Sequence, residues 1–154
     1  MNKVIIYADG GSRGNGKENS IAGYGVVLQY GEHTKELYQG FRNMTNNQME
    51  IRAVIEGLKA MKKTNVVVEV RSDSAYVVNC MNKKWYKAWL NNGWVTSAKK
   101  PVENRELWIE LIDLVNKFPF IQFTKVKGHS GEPGNERADF LANKAMDEVP
   151  PIIF

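Results

Sequence analysis

Four acidic residues lie beside predicted strands and helices in a pattern that could build one site. Asp9 and Asp73 each follow a short apolar run that predicts a buried strand, whereas Glu50 and Asp139 fall in the first turns of predicted helices. Taken singly, each has a simpler explanation, since aspartate favours turns and acids favour the positive end of a helix dipole. Taken together, several carboxylates could hold two Mg²⁺ ions, which prefer hard oxygen ligands. Two such ions could support phosphodiester hydrolysis, but the spacing leaves open whether the four acids converge.

His129 lies in a glycine-rich loop over residues 127–134, where a core position is not expected. Histidine as a residue type can gain or lose a proton near neutral pH, so a histidine here could carry a proton for such a reaction. A plain surface histidine is the simpler alternative. The sequence alone leaves both interpretations open.

The segment from Ser74 to Val102 contains no acidic residue and combines lysines with tryptophans. Lysines interleaved with aromatic rings are expected where a protein contacts a nucleic-acid backbone. In the alternative, the lysines form a solvated face, and Trp85 and Trp89, four residues apart, pack in the core. We favour the nucleic-acid interpretation, in which the contacting lysines are Lys83, Lys84, Lys87, Lys99 and Lys100.

The hydrophobic pattern predicts a chain in which strands and helices follow in the order β-β-β-α-β-α-α-β-α. Strands are predicted over residues 4–9, 22–30, 34–41, 66–70 and 121–126. Apolar residues three and four positions apart predict helices over 46–61, from Ser74 onwards, over 107–115 and over 135–146. Thr45 with Gln48 fits a capping box, and Ser74 fits an N-cap. Antiparallel pairing of the first three strands and right-handed crossovers to the last two predict an α/β fold with a mixed five-stranded sheet flanked by helices.

The composition is that of one ordinary globular domain. The chain has 154 residues and a formal net charge of +4, which permits a polyanionic partner without requiring one. We predict a domain over residues 1–148 and a tail over 149–154, where Pro150 and Pro151 cannot continue a helix. Neither a leader nor a membrane-spanning run is evident, so we expect a cytoplasmic monomer with no membrane contact.

Five short motifs, taken in order, resemble type 1 ribonuclease H. They are YADGGSRGN at residues 7–15, TNNQME at 45–50, SDS at 72–74, KGHSG at 127–131 and NERAD at 135–139. The resemblance implies a sheet whose first strand is central and an endonuclease that cleaves the RNA strand of RNA/DNA hybrids. It implies 5′-phosphate and 3′-hydroxyl products, little sequence specificity, and two Mg²⁺ ions when substrate is bound, with Mn²⁺ as a substitute.

The resemblance also assigns roles to individual residues. Asp9, Glu50, Asp73 and Asp139 match the catalytic metal-binding carboxylates, and His129 matches the histidine that assists proton transfer or product release. The hybrid is expected to contact residues near the first glycine pair and the first helix: Gly10, Asn15, Thr45, Asn46, Asn47 and Gln48. The basic protrusion adds Lys83, Lys84, Trp85, Lys87, Trp89, Ser97, Lys99 and Lys100. Within these sets, the DNA strand is expected at Trp85, Trp89 and Ser97, and one DNA phosphate at Thr45.

Two other classes of protein compete with this interpretation. One is a nucleic-acid-binding module of the same fold without catalysis, which would not need all four acids. The other is a different nuclease or strand-transfer enzyme of the wider superfamily. The loop histidine and the basic protrusion favour ribonuclease H over that second class.

Overall fold

A five-stranded mixed sheet forms the centre of the computed structural model, which describes residues 3–152. Its strands are β1 (Lys3–Arg13), β2 (Ile21–Tyr30), β3 (His33–Arg42), β4 (Val67–Ser72) and β5 (Phe120–Lys125). They lie in the order β3-β2-β1-β4-β5. The pairs β1–β2 and β2–β3 are antiparallel, and β1–β4 and β4–β5 are parallel. The predicted fold class and the central place of the first strand are confirmed.

Within residues 3–152, five helices cover the sheet unequally. They are α1 (Asn46–Lys59), α2 (Ala75–Lys83), α3 (Trp85–Asn92), α4 (Arg105–Val115) and α5 (Pro133–Asp147). The larger core joins one face of the sheet to α1, α2 and α4. Helix α5 packs on the opposite face over β2, β1 and β3, where Tyr7 and Val27 meet Ala138 and Leu141. No helix within residues 3–152 is both long and apolar enough to cross a membrane.

The predicted helix caps are present. The Gln48 amide N–H donates to Thr45 Oγ1 over 3.1 Å, and the Thr45 N–H donates to Gln48 Oε1 over 2.8 Å, which completes a capping box. Ser74 Oγ accepts from the N–H of Val77 at the start of α2. These caps fix the starts of the two helices that follow β3 and β4.

The predicted end of the first strand was wrong. Strand β1 continues through Asp9 and the two glycines to Arg13, and Asp9 pairs with Gly25 of β2. The parallel pairing of β1 with β4, by contrast, ends two residues before Asp9. Its last pair is Tyr7 on β1 with Arg71 on β4. Glycines predict a turn locally, but long-range pairing with β2 overrides that preference.

Helix α3 was missed by the sequence analysis, which placed a single helix between Ser74 and Val102. Lys84 adopts a left-handed backbone conformation with φ of 56°, ending α2 and starting α3. Lysine carries no signal for that conformation, which glycine and asparagine usually occupy. The basic segment is therefore a bent helix pair followed by a loop.

Val149 and Pro150, just after α5, lie against β3. Helix α5 ends at Asp147, and the Arg42 guanidinium donates to the Pro150 carbonyl over 2.6 Å. Residues 153 and 154 of the predicted tail lie outside the described residues. The division into a domain over 1–148 and a tail remains a prediction.

Candidate active site

Three of the four predicted carboxylates form a cluster beside the central strand. One oxygen from each of Asp9, Glu50 and Asp73 lies within 4.8 Å of the others. Asp9 follows the last pairing of β1 with β4, Asp73 follows the last residue of β4, and Glu50 lies near the start of α1. The end of β4 therefore opens the edge of β1, and acids from two other parts of the chain reach Asp9 there.

Two glycines bring the helices close enough to supply the acids. A Cβ atom on Gly10 would lie 2.5 Å from the backbone nitrogen of Glu50, so α1 rests directly on β1 at this point. A Cβ atom on Gly25, the partner of Asp9, would lie 2.6 Å from the backbone nitrogen of Ala142 on α5. Gly10, predicted as a substrate contact, thus has a packing role, and its contact with substrate remains a prediction.

Asp139 is the fourth acid and comes from α5. Its carboxyl group lies within hydrogen-bonding reach of Asp9 and contributes to the raised pKa of that residue. Asp139 is partly exposed, in contrast to the buried Asp9. The structure therefore brings together all four acids that the sequence analysis selected, with Asp9 at the centre.

The cluster strongly disfavours negative charge on its innermost members. Burial raises the pKa of Asp9 to about 8, assisted by the charge of Asp73 and the hydrogen bond with Asp139. Burial, followed by the charges of Asp9 and Asp73, raises the pKa of Glu50 well above its ordinary value, against the effect of the Gly10 amide. A nearby multivalent cation would favour the ionised forms of these groups.

The donor set fits a divalent metal ion. Glu50 Oε2 is buried and has no hydrogen-bond partner among residues 3–152. A buried carboxylate oxygen without a partner is costly, and a metal ion would satisfy it. Carboxylate oxygens are the ligands that Mg²⁺ prefers, so these residues could hold such an ion.

The loop that carries His129 passes beside Asp73. A Cβ atom on Gly128 would lie 3.1 Å from Asp73 Oδ2, so the loop backbone touches the carboxylate cluster. His129 itself is exposed and has a positive φ of 55°. The prediction that His129 is not a core residue is confirmed, and the loop places it at the rim of the acidic cluster.

A polar cavity of about 400 Å³ lies near the start of α1. Three residues predicted to contact the hybrid line it: Asn15, Thr45 and Asn47. Glu103 and Asn104 also line it and were missed, because a Glu-Asn pair just before a helix has no distinctive signal. Asn104 takes a left-handed conformation with φ of 60°, which asparagine tolerates well.

Two of the predicted hybrid contacts are fixed by the backbone. Asn46 Oδ1 accepts from the Ser12 N–H over 2.6 Å, and Asn15 Oδ1 accepts from the Asn46 N–H over 3.0 Å. The loop after β1 is thereby tied to the first turn of α1. In both side chains the oxygen accepts a hydrogen bond from a backbone N–H. The NH₂ group of each side chain has no partner in the described part of the chain.

Trp85 and Trp89 line a second cavity, of about 310 Å³, together with Tyr76, Thr96 and Lys100. The ring of Trp89 also packs against Trp94 and Trp108, with centroids 5.7 and 6.0 Å apart. The core-packing alternative therefore holds in part for Trp89. The remaining predicted protrusion contacts are exposed and line neither cavity: Lys83, Lys84, Lys87, Ser97 and Lys99.

The fold and the site together define an α/β protein with a cluster of carboxylates beside its central strand that could bind a divalent cation. The family model described as RNase H matches residues 1–147. The ribonuclease H of Clostridium botulinum is 53% identical over 148 residues, which cover 96% of this chain and 98% of that protein.

Solved structures agree with this match. LC9-RNase H1, described as a type 1 RNase H with the type 2 active-site motif, superposes with a TM-score of 0.82 at 32% identity, covering 96% of this chain and 73% of that one. LC11-RNase H1, solved in complex with an RNA/DNA hybrid, gives 0.71 at 29% identity, covering 94% and 97%. The chain therefore belongs to the RNase H family, as a type 1 member. The resemblance found in its motifs is confirmed, and so is the predicted enzyme class, an endonuclease for RNA in hybrids.

Proposed function

We propose that this chain hydrolyses the RNA strand of RNA/DNA hybrids with two Mg²⁺ ions held by Asp9, Glu50, Asp73 and Asp139. The observation that carries the proposal is the buried oxygen of Glu50 without a partner, inside a cluster of carboxylates. When bound, two such ions would supply activation of the attacking water and stabilisation of the leaving oxygen. The products are a 5′-phosphate and a 3′-hydroxyl, and Mn²⁺ substitutes for Mg²⁺.

The chain's own residues would hold the ions in fixed positions and move the proton. Asp9 and Glu50 are rigid because each is buried and backed by a strand or helix. His129, exposed on a loop against Asp73, carries a proton between the reacting phosphate and solvent. An exposed imidazole can exchange its proton with water between turnovers, which suits this role.

The hydrogen bonds of Asn15 and Asn46 support low sequence specificity. Because each side-chain oxygen already accepts from the backbone, it is the NH₂ group of each amide that has donors to offer to a ligand. Every base pair presents acceptors on its minor-groove edge, and 2′-hydroxyls accept as well. Amide donors can therefore contact the RNA strand without selecting one sequence.

The DNA strand binds at the cavity lined by Trp85 and Trp89 and at the lysines of the basic protrusion. Trp85 and Trp89 line one cavity together with Lys100, and the exposed lysines contact phosphates without reading bases. Thr45, which lines the polar cavity with Asn15 and Asn47, holds one DNA phosphate. Because one chain supplies all four carboxylates, we propose that the monomer is the active form, which light scattering after gel filtration would check.

The deciding experiment uses one end-labelled duplex sequence made as RNA/DNA, RNA/RNA and DNA/DNA, with Mg²⁺, with Mn²⁺ or with a chelator. We expect metal-dependent cutting of only the RNA strand of the hybrid. Binding without cutting under both metals would instead identify an inactive nucleic-acid-binding module. Equal cutting of RNA/RNA duplexes would contradict the proposed selectivity.

A further inference from the structure

A second polar cluster includes residues from β1 and β4, two positions before Asp9 and Asp73. Tyr7 precedes Asp9 by two residues on β1, and Arg71 precedes Asp73 by two residues at the end of β4. Tyr7 and Arg71 are paired across the parallel strands. The third member is Glu132, the N-cap residue of α5. Each member therefore shares a chain segment with a residue of the proposed active site.

The three side chains are joined in a closed triangle of hydrogen bonds. Arg71 Nη1 donates to the Tyr7 hydroxyl over 2.8 Å and to Glu132 Oε1 over 2.9 Å. The Tyr7 hydroxyl donates to the same Glu132 oxygen over 2.9 Å. Glu132 makes no side-chain cap bond to its own helix, so its carboxylate serves the sheet instead. The hydrogen bond from Arg71 to Glu132 joins a charged donor to a charged acceptor, so it is stronger than a hydrogen bond between neutral groups.

Arg71 is held from its other side as well. Its Nη2 donates to Glu69 Oε1 over 3.0 Å, and Glu69 also accepts from Lys3 and from Thr124, over 2.9 and 2.6 Å. Glu69 is only 5% exposed. The guanidinium is thus fixed between two carboxylates, and Glu132 bonds to a rigid partner rather than to a mobile surface side chain.

This triangle restrains the loop between β5 and α5. At its beginning, the Val126 N–H donates to the Ser72 carbonyl over 2.9 Å. At its end, Glu132 bonds to Tyr7 and Arg71. His129 lies between these two points, three residues before Glu132. The ring of Tyr7 also packs on the first turn of α5, since a Cβ atom on Gly134 would overlap that ring.

We propose that Glu132, held by Arg71 and Tyr7, is a positioning residue that fixes the His129 loop against Asp73. The inference rests on the proposed role of His129 and adds the residues that set the place of its loop. Loss of the Glu132 contact frees the carboxyl end of the loop. The proton carrier then spends less time at the reacting phosphate, whereas the surfaces that bind the hybrid stay intact.

The test is a double-mutant cycle between Glu132→Ala and His129→Ala, with kcat and KM measured on an RNA/DNA hybrid. We expect Glu132→Ala to lower kcat by about 10-fold while KM changes by less than about twofold. In the His129→Ala background the same change should have almost no further effect, because the loop no longer carries the group being positioned. Glu132→Gln keeps an oxygen acceptor and should restore much of the lost kcat.

The matched control is Glu36→Ala, which also removes an ion pair between α5 and the sheet. Glu36 on β3 forms a two-bond ion pair with Arg137 on α5, with N–O distances of 2.5 and 2.9 Å. It should leave kcat unchanged. Tyr7→Phe removes only one hydroxyl, and should lower kcat less than Glu132→Ala and only when His129 is present.

The positioning role would be overturned if the two substitutions lowered kcat independently in the double variant. It would also be overturned if Glu36→Ala lowered kcat as much as Glu132→Ala. If Glu132→Ala does not fold, Tyr7→Phe in both backgrounds decides the question by the same criterion. A wild-type protein that fails to cut any hybrid would refute the proposed function. Cutting by wild type with additive losses would refute only the positioning role.

Discussion

At the residue scale, the acids of the site differ in what surrounds them. Asp9 is buried among three other carboxyl groups, and burial raises the pKa of its side chain to about 8, assisted by Asp73 and Asp139. Glu50 has a buried oxygen without a partner, whereas Asp139 is partly exposed. The inner acids therefore need a counter-charge, and the outer one can adjust to substrate.

Asp73→Asn should abolish cleavage and spare binding. The change keeps the size of the side chain but removes one of the four carboxylates proposed to hold the ions, a member of the cluster with Asp9 and Glu50. We expect the cleavage rate to fall by more than about 100-fold, with the affinity for hybrid in chelator nearly unchanged. The control is Asp113→Asn, the same substitution on the exposed side of α4. A fully active Asp73→Asn would refute the site assignment.

Glu69 makes the stability of the fold depend on pH. Burial alone would raise the pKa of Glu69, but hydrogen bonds from Arg71, Lys3 and Thr124 lower it to about 2. A lowered folded-state pKa stabilises the fold above the ordinary glutamate pKa and loses that contribution as the pH falls toward 2.

Glu69→Gln should therefore flatten the acid limb of the stability curve. The lost contribution is up to about 3 kcal/mol at neutral pH, measured as the free energy of unfolding in urea between about pH 6 and pH 3. Glu32→Gln, in the exposed turn between β2 and β3, serves as the control and should run parallel to wild type. A Glu69→Gln curve with the same slope as wild type would contradict the assigned pKa.

At the element scale, local patterns predicted the elements but not the contacts between distant ones. Hydrophobic periodicity and capping residues located most helices and strands, and the acids lie near the predicted element boundaries. The left-handed Lys84 was missed because nothing in a lysine indicates it. The bond from Tyr7 to Glu132 was missed because it spans 125 residues and depends on the position of α5 against the sheet.

Gly10→Ala tests the close packing of α1 on β1. The new Cβ atom would lie 2.5 Å from the Glu50 backbone nitrogen, so the helix must move away from Asp9. We expect a loss of about 1–3 kcal/mol in unfolding free energy, together with a large loss of activity.

Gly11→Ala is the neighbouring control. Its Cβ atom would meet only the flexible end of Met146, at 3.3 Å. The unfolding free energy should stay within about 1 kcal/mol of wild type. Equal losses in the two variants would show that the position next to Asp9 is not special.

At the scale of the whole molecule, charge is unevenly distributed. The net charge is +4, and the stretch from Ser74 to Val102 holds five lysines and no acid. This stretch forms α2, α3 and the following loop, and its lysines are exposed. A polyanion would be attracted to this segment.

Replacing Lys83, Lys84 and Lys87 with alanine should raise KM more than it lowers kcat. The slope of log affinity against log salt should become shallower by about 2–3, because fewer counterions are released. Alanine at Lys59, Lys62 and Lys63, around the end of α1, removes the same charge away from the protrusion. Identical salt slopes for the two triple variants would contradict a DNA-binding protrusion.

The order of elements along the chain has a consequence for synthesis. Helix α5, which brings Asp139 to Asp9, and the loop that carries His129 both follow β5. A ribosome-bound chain that has released only β1 to β4 can begin to build the sheet, but it lacks these two groups. Until β5 and α5 have been synthesised, the growing chain therefore cannot complete the proposed active site.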